Sequence, residues 1–468
     1  MQIIHHGAYS GVTGSCHELR VGNYGLLVDC GIFQGEEAAR SLDIDFPISH
    51  IRALLLTHCH IDHIGRIPWL LAAGFRGHIY ATEATAALLP LMLDDSLKIQ
   101  LNLNQEQRAQ FINLVSSLLR PVPFDCRASI TFPDGEKLTA VFRQAGHILG
   151  SAYIEMTLPD GHVVVFSGDL GPSNTPLLVD PCPPNRADTL VLETTYGNRR
   201  HDRIQDRSNR LAAVIERSLK DGGAIIIPAF SVGRTQELLF DIEAILSELT
   251  QHQKANGLPP VDWSRLPVIL DSPLADKVTE QYTLFQRLWA KEAKEKVMLG
   301  RHPMSFRQFV TIDSHDEHEA LVNRLKQSGE PAIVIAASGM CTGGRVVNYL
   351  DALLPDSRTD VVLVGYQAKG TLGKTLLSGV ESVEINKQLV PVNASVHELS
   401  GYSAHADQKD LLMFVTAMET PPSVIRLVHG DADAQHALAD ELRPLLPGCD
   451  IIITADTTEK ASHTSVIS

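Results

Sequence analysis

A chain of 468 residues is long enough for two or three domains with full cores. No apolar run approaches the roughly 20 residues that span a bilayer, and the first residues, Met1 to His6, lack the basic region and apolar core of a signal peptide. The net charge of −15 is not the basic excess usual in nucleic-acid binders, so any nucleic-acid contact would rest on a local basic groove.

Residues 1 to about 50 read as short strands and turns. Gly22-Asn23-Tyr24-Gly25 is a hairpin turn between Leu19-Arg20-Val21 and Leu26-Leu27-Val28, and Asp29 closes the second strand ahead of Cys30-Gly31. The apolar run Ala53 to Thr57 is a buried strand. It ends in His58-Cys59-His60-Ile61-Asp62-His63, and the spacing of Ile64, Ile67, Leu70 and Leu71 predicts a helix from Ile64 to Ala73. In the extended half, His58 and His60 project to one side. Asp62 and His63 open the helix and aim a second ligand pair at an adjacent point. Imidazole and carboxylate suit zinc, and two adjacent ligand sets suggest two metals. Cys59 alternates away and reads as packing. The seven cysteines have no paired spacing, which suits reduced thiols and a cytoplasmic location.

Gly77 to Thr82 is a strand, and a helical tract runs from Glu83 to about Leu119 with a break near Gln100 to Asn104. Strand character returns from Ile130 to Phe142 around Pro133-Asp134-Gly135. His147 sits among glycines between strands, free to reach a metal. The strand His162 to Phe166 leads to Asp169, where Gly168 leaves the approach to the carboxylate open. Thr189 to Leu192 is a buried strand ending in Glu193. From about 206 to 390 helices alternate with the strands Ala224–Pro228, Pro267–Leu270 and Ala332–Ala336, which predicts a mostly parallel sheet covered by helices. The expected division is therefore 1–205, an inserted domain at 206–390, and 391–468 completing the first domain. Gly370-Thr371-Leu372-Gly373-Lys374-Thr375 looks like the end of a P-loop, but the first glycine of that pattern falls on Ala368, so ATP is not expected.

His-x-His-x-Asp-His after an apolar strand resembles the second motif of the metallo-β-lactamase fold. Asp29, His147 and Asp169 resemble its first, third and fourth motifs. Glu193, His405 in Gly401-Tyr402-Ser403-Ala404-His405-Ala406-Asp407, and His429 in Leu427-Val428-His429-Gly430-Asp431 are similar to motifs A, B and C of the β-CASP branch. Pro228 to Leu238, Asp271 to Ala275 and Ala337 to Arg345 extend the likeness over nearly the whole chain. The resemblance implies an α/β protein, an αββα metallo-β-lactamase sandwich with an inserted β-CASP domain. A histidine at motif C marks the RNA-processing members, and the chain looks most like compact bacterial relatives of the pre-mRNA 3′-end endonuclease subunit. Ser468 follows the last core strand closely, leaving no room for the C-terminal RNA-binding domains of other branches.

Carried over residue by residue, the resemblance gives one zinc to His58, His60 and His147 and the other to Asp62, His63 and His429, with Asp169 bridging and Asp29 orienting the metal loop from behind. Manganese is the alternative metal. Asp62, His405 and Glu193 are the implied catalytic residues. A hydroxide shared by two metals would attack the phosphodiester, His405 would protonate the leaving 3′-oxygen, and Glu193 would hold His405 or the metal loop. Arg234, Ser338, Gly339, Thr342, Gly343 and Gly344 follow strands of the inserted domain, where small residues and a helix N-terminus suit phosphate. They are expected to hold the RNA backbone across a cleft between domains. The implied activity is a ribonuclease on single-stranded RNA, endonucleolytic with exonuclease action besides, in a homodimer. A small-molecule metallo-hydrolase and a non-catalytic RNA-binding subunit are the rival readings.

Overall fold

A computed structural model describes residues 1–201, 204–255, 266–368 and 370–457. It divides into two compact units, Met1–Arg200 with His405 onward, and His201–Ala404. The inserted segment thus runs beyond residue 390: the strand Ser395–Glu398 pairs with Asp360–Leu363 in the sheet of the second unit. The chain re-enters the first unit only at His405.

The first unit holds two sheets. One runs Gln2–Gly7, Cys16–Val21, Tyr24–Val28, Ile51–Leu55, His78–Thr82 and Leu119–Val122, in that spatial order. Its early hairpins are antiparallel and its later neighbours parallel. The other orders Asp450–Ile453, Val424–Val428, Thr189–Glu193, Val163–Phe166, Ala152–Thr157, Lys137–Gln144 and Arg127–Thr131. Along Lys137–Gln144 the inward Leu138, Ala140 and Phe142 alternate with more exposed residues, as expected of a half-buried strand. Thr189–Glu193, by contrast, is buried at every position between parallel neighbours. The inner faces meet in one core that includes Leu26, Val28, Leu55, Phe142, Phe166 and Val428. Each such side chain contributes about 1.5–3 kcal/mol by leaving water. The helices Gln408–Thr416 and Ala432–Leu445 close the outer face of the second sheet through Leu411, Phe414, Leu438 and Leu442.

Local sequence explains the element boundaries. Thr82 caps the helix Glu83–Gln100, and an Asn104–Gln107 capping box starts Gln105–Leu118, so the predicted break falls between two capped helices. The helix expected from Ile64 to Ala73 is instead two short ones, Ile61–Ile64 and Ile67–Ala72. Arg66 lies between them, buried, with its Nε donating to the Gly31 carbonyl at 2.7 Å.

The second unit is built on a six-stranded parallel sheet ordered Phe309–Thr311, Val268–Asp271, Ala332–Ala336, Ala224–Pro228, Asp360–Leu363 and Ser395–Glu398. The helix Arg345–Leu353 packs Val346, Tyr349, Leu350 and Leu353 against it, and the hairpin Ser382–Ile385/Gln388–Pro391 adds Val383, Ile385 and Val390 to the same core. Asp271, fully buried at a strand end, accepts from His318 Nδ1 at 2.6 Å and from Arg345 and Tyr349. No helix among the described residues is long and apolar enough to cross a membrane.

Candidate metal centre

Several motif residues of the first unit lie at or just beyond strand ends, while Asp62 and His63 lie in the short helix Ile61–Ile64 and His405 precedes the helix Gln408–Thr416. His58 follows Ile51–Leu55, Asp169 follows Val163–Phe166, Glu193 ends Thr189–Glu193, and His429 follows Val424–Val428. His147 lies on a loop whose far end is pinned where Thr82 and Thr85 both donate to the Gly150 carbonyl, at 2.6 and 2.8 Å. Gly31 is required by close approach, since a Cβ there would sit 1.4 Å from the Asp62 carbonyl oxygen.

Two groups of potential ligands share one carboxylate. His58, His60, His147 and Asp169 form the first, and Asp62, His63, Asp169 and His429 the second. Within each, one ligand atom per residue lies within 4.8 Å of the others. In the first group His60 Nδ1 is 3.1 Å from His58 Nε2 and 2.9 Å from His147 Nε2, and Asp169 Oδ2 is 3.5 Å from both of those Nε2 atoms. In the second, His63 Nε2 lies 3.3 Å from Asp169 Oδ1, 3.3 Å from His429 Nε2 and 3.7 Å from Asp62 Oδ2.

Hydrogen bonds behind these atoms fix their tautomers. Asp29 accepts from the Thr57 amide at 2.8 Å, from the Thr57 hydroxyl at 2.7 Å and from His63 Nδ1 at 2.7 Å, which leaves His63 Nε2 to face the centre. The Thr57 hydroxyl, having donated to Asp29, accepts from His58 Nδ1 at 3.1 Å and so turns His58 Nε2 inward. Thr195 does the same for the second group: its hydroxyl donates to Glu193 at 2.6 Å and accepts from His429 Nδ1 at 3.1 Å. One carboxylate at each end thus sets which ring nitrogens face the centre, an arrangement usual behind metal ligands.

The electrostatics suit cations. Burial, followed by the neighbouring His63, pushes His58 well below the ordinary imidazole range, so it is neutral and able to ligate. Burial alone would raise Asp169, but His429, His63 and His405 hold it well below the usual carboxylate range. Asp169 Oδ1 is buried and has no hydrogen-bond partner among the described residues, a costly state that a metal would relieve. Converging imidazole nitrogens, a shared carboxylate and this atom fit two divalent cations, and the N/O donor set suits zinc.

Asp169, Glu193 and His405 form a third group at the same place. His405 Nδ1 lies 3.3 and 3.4 Å from the Glu193 oxygens and 3.8 Å from Asp169 Oδ2. Glu193 is fully buried and also accepts from the Leu170 amide at 2.6 Å. Burial opposes the charge on His405, but Glu193 and Asp169 outweigh it and raise the imidazole above its ordinary value.

Three family descriptions match in succession: the metallo-beta-lactamase superfamily over residues 10–222, the Beta-Casp domain over 235–376 and the Zn-dependent metallo-hydrolase RNA specificity domain over 389–452. Ribonuclease TTHA0252 of Thermus thermophilus is 35% identical over 441 residues, covering 94% of this chain and 95% of that protein. This chain belongs to the β-CASP branch of the metallo-β-lactamase superfamily. Transcription termination factor FttA is 30% identical in Methanocaldococcus jannaschii, over 93% of this chain and 67% of that protein. In Methanosarcina mazei it is also 30% identical, over 93% of this chain and 68% of that protein.

Within the β-CASP unit, Arg234 departs from expectation. It is buried, and its Nη1 donates to Glu237 at 2.6 Å, so its charge serves the start of the helix Arg234–Ala255 rather than an incoming phosphate. Ser338 and Thr342 lie together with their hydroxyls 3.2 Å apart. Thr342, Gly343 and Gly344 line a recess of about 710 Å³ with Asn348, Thr371 and Asn386. Sequence reading missed Thr57 and Thr195, whose only signal is a hydroxyl placed one residue before His58 and two after Glu193.

Proposed function

We propose that this chain is a metal-dependent ribonuclease that hydrolyses phosphodiester bonds of single-stranded RNA within the strand, with exonuclease action besides. The observation that carries the reading is the pair of ligand groups joined at Asp169 with His405 and Glu193 beside it. Relatives named as a ribonuclease and a transcription termination factor, and the RNA specificity domain, support RNA as substrate. Zinc is the proposed metal, two ions per chain, with manganese the alternative. His58, His60 and His147 would hold one, Asp62, His63 and His429 the other, and Asp169 both. Bound there, the ions supply Lewis acidity for attack by water and counter-charge for the phosphate.

The residues of the chain supply the rest. Asp29 and Thr57 keep His58 and His63 in ligating tautomers. Glu193 engages His405 at Nδ1, so the proton to be delivered to the leaving 3′-oxygen would sit on His405 Nε2, and Glu193 and Asp169 raise that ring above its ordinary value. The recess of the β-CASP unit is of nucleotide size, and the Ser338–Gly344 loop is the proposed phosphate contact in it. The seven free cysteines suit a reducing compartment, and the cytoplasm is the proposed location. The proposed assembly is a homodimer acting without ATP.

The test is a time course of the metal-loaded protein on 5′-labelled single-stranded RNA beside a matched DNA. Discrete internal RNA products with little DNA cleavage are expected. Intact RNA in a protein holding two ions would overturn the reading in favour of a small-molecule hydrolase or a binding subunit.

A further inference from the structure

Behind the second ligand group lies a cavity of about 10 Å³, the size of one water molecule. Its polar walls are Ser15, His17, Ser167, Asp169, His63 and His429, and the remainder is apolar core. His17 has no place in the family motifs, yet it is buried among them.

A chain of hydrogen bonds determines what His17 presents to that space. Arg426 is a donor only, and its Nε lies 2.9 Å from His5 Nε2, so that nitrogen of His5 accepts. His5 therefore carries its proton on Nδ1 and donates to His17 Nδ1, 2.9 Å away. His17 is left with its proton on Nε2, the nitrogen that faces Ser15, which lines the cavity with it. Ser15 Oγ, at 3.4 Å, is a long and weak acceptor for it. Burial and Arg426 lower His5 to about 3, and burial with His5 lowers His17, consistent with two neutral rings. Across the cavity the chemistry is complementary. Asp169 Oδ1 is buried and lacks a hydrogen-bond partner among the described residues.

We propose that one water molecule occupies this cavity, accepts from His17 Nε2–H and donates to Asp169, so that the relay Arg426–His5–His17 positions the shared carboxylate for metal. His17 is then a positioning residue, and this role rests on the metal-centre reading above. The relay joins both sheets of the unit, since His5 and His17 are paired on neighbouring strands of one sheet and Arg426 lies on Val424–Val428 of the other.

The tautomers test the relay without any metal. In the metal-free, full-length protein labelled with ¹⁵N-histidine, His5 is expected as the Nδ1–H tautomer and His17 as Nε2–H, both neutral at pH 7. The opposite tautomer of His17, or a doubly protonated ring, would overturn it. Chelator competition then tests the consequence. His17→Phe is expected to lose roughly tenfold or more in affinity for the weaker-held zinc. His17→Gln, which can accept from His5 through Oε1 and donate through Nε2, is expected to recover it, with the thermal midpoints of all metal-free forms alike. Equal zinc affinity in the wild type and His17→Phe would overturn the positioning role. Should His17→Phe not fold, His17→Asn, too short to bridge both neighbours, takes its place with the same two outcomes. A wild type that binds no zinc would instead sink the metal-centre reading, and the tautomers would still judge the relay.

Discussion

Asp29 lies outside both groups of potential ligands, yet it orients two of their members, His63 directly and His58 through the Thr57 hydroxyl. Asp29→Asn replaces an acceptor oxygen with a donor and should release His63 to flip. Metal affinity is expected to fall about 10- to 100-fold, read by chelator competition. His405 is separable from binding: His405→Ala should keep both ions and slow single-turnover cleavage by about 10² to 10⁴, whereas Asp169→Ala should lose metal outright. A His405→Ala enzyme cleaving at the wild-type rate would remove the general acid from the mechanism. The members of the two groups could be named from the sequence because His58, Asp169 and His429 follow apolar strands and His147, Asp169 and His429 stand beside glycine. Thr57 and Thr195 could not, because a threonine at a strand end is ordinary and only its two hydrogen-bond partners mark it. Arg234 misled for the opposite reason: an arginine opening a helix reads as exposed, and burial against Glu237 appears only once the helix is packed.

Among elements, the first sheet carries an ionic tie that shows how strand pairing depends on pH. Glu18, on the second strand, is fully buried and accepts from His6 of the first strand at 3.0 Å, from His50 at 2.7 Å and from Arg20 at 2.8 Å. Burial would raise its carboxyl, but His6, His50 and Arg20 together lower it to about 2. A depressed carboxylate stabilises the fold above its unfolded value near 4.5 and loses that contribution as pH falls toward 2. With screening at the exposed Arg20 flank, the contribution is on the order of 2 kcal/mol. Glu18→Gln should therefore be less stable than wild type at pH 7, and the gap should close on acidification, as followed by denaturant unfolding at each pH. At this scale the strands and the helix break at Gln100 to Asn104 were readable from periodicity and caps. The interruption at Gly65-Arg66 was not, because the apolar spacing runs through it unbroken. The end of the insertion was missed because Ser395–Glu398 is short and partly exposed and so lacks a buried strand's apolar run.

At the scale of the whole molecule, charge limits how RNA can be held. A chain at −15 would remain near −11 even with two divalent cations bound. Few phosphates can then be neutralised by side chains, so RNA affinity should depend weakly on salt. A log–log slope shallower than about −2 is expected for single-stranded RNA titrated between low and physiological salt. A steep slope would mean that a basic groove carries the binding.

The insertion also imposes an order of birth. Thr189–Glu193 is a central strand whose parallel neighbour is Val424–Val428, and Thr194 meets Val428 only 234 residues further along the chain. At about 5–20 residues per second, a ribosome leaves that strand's edge uncovered for tens of seconds while the inserted unit emerges and folds. His429 follows immediately after the late strand, so the second group of candidate ligands stays incomplete until that strand has been made. Until then the nascent chain lacks a complete candidate metal centre.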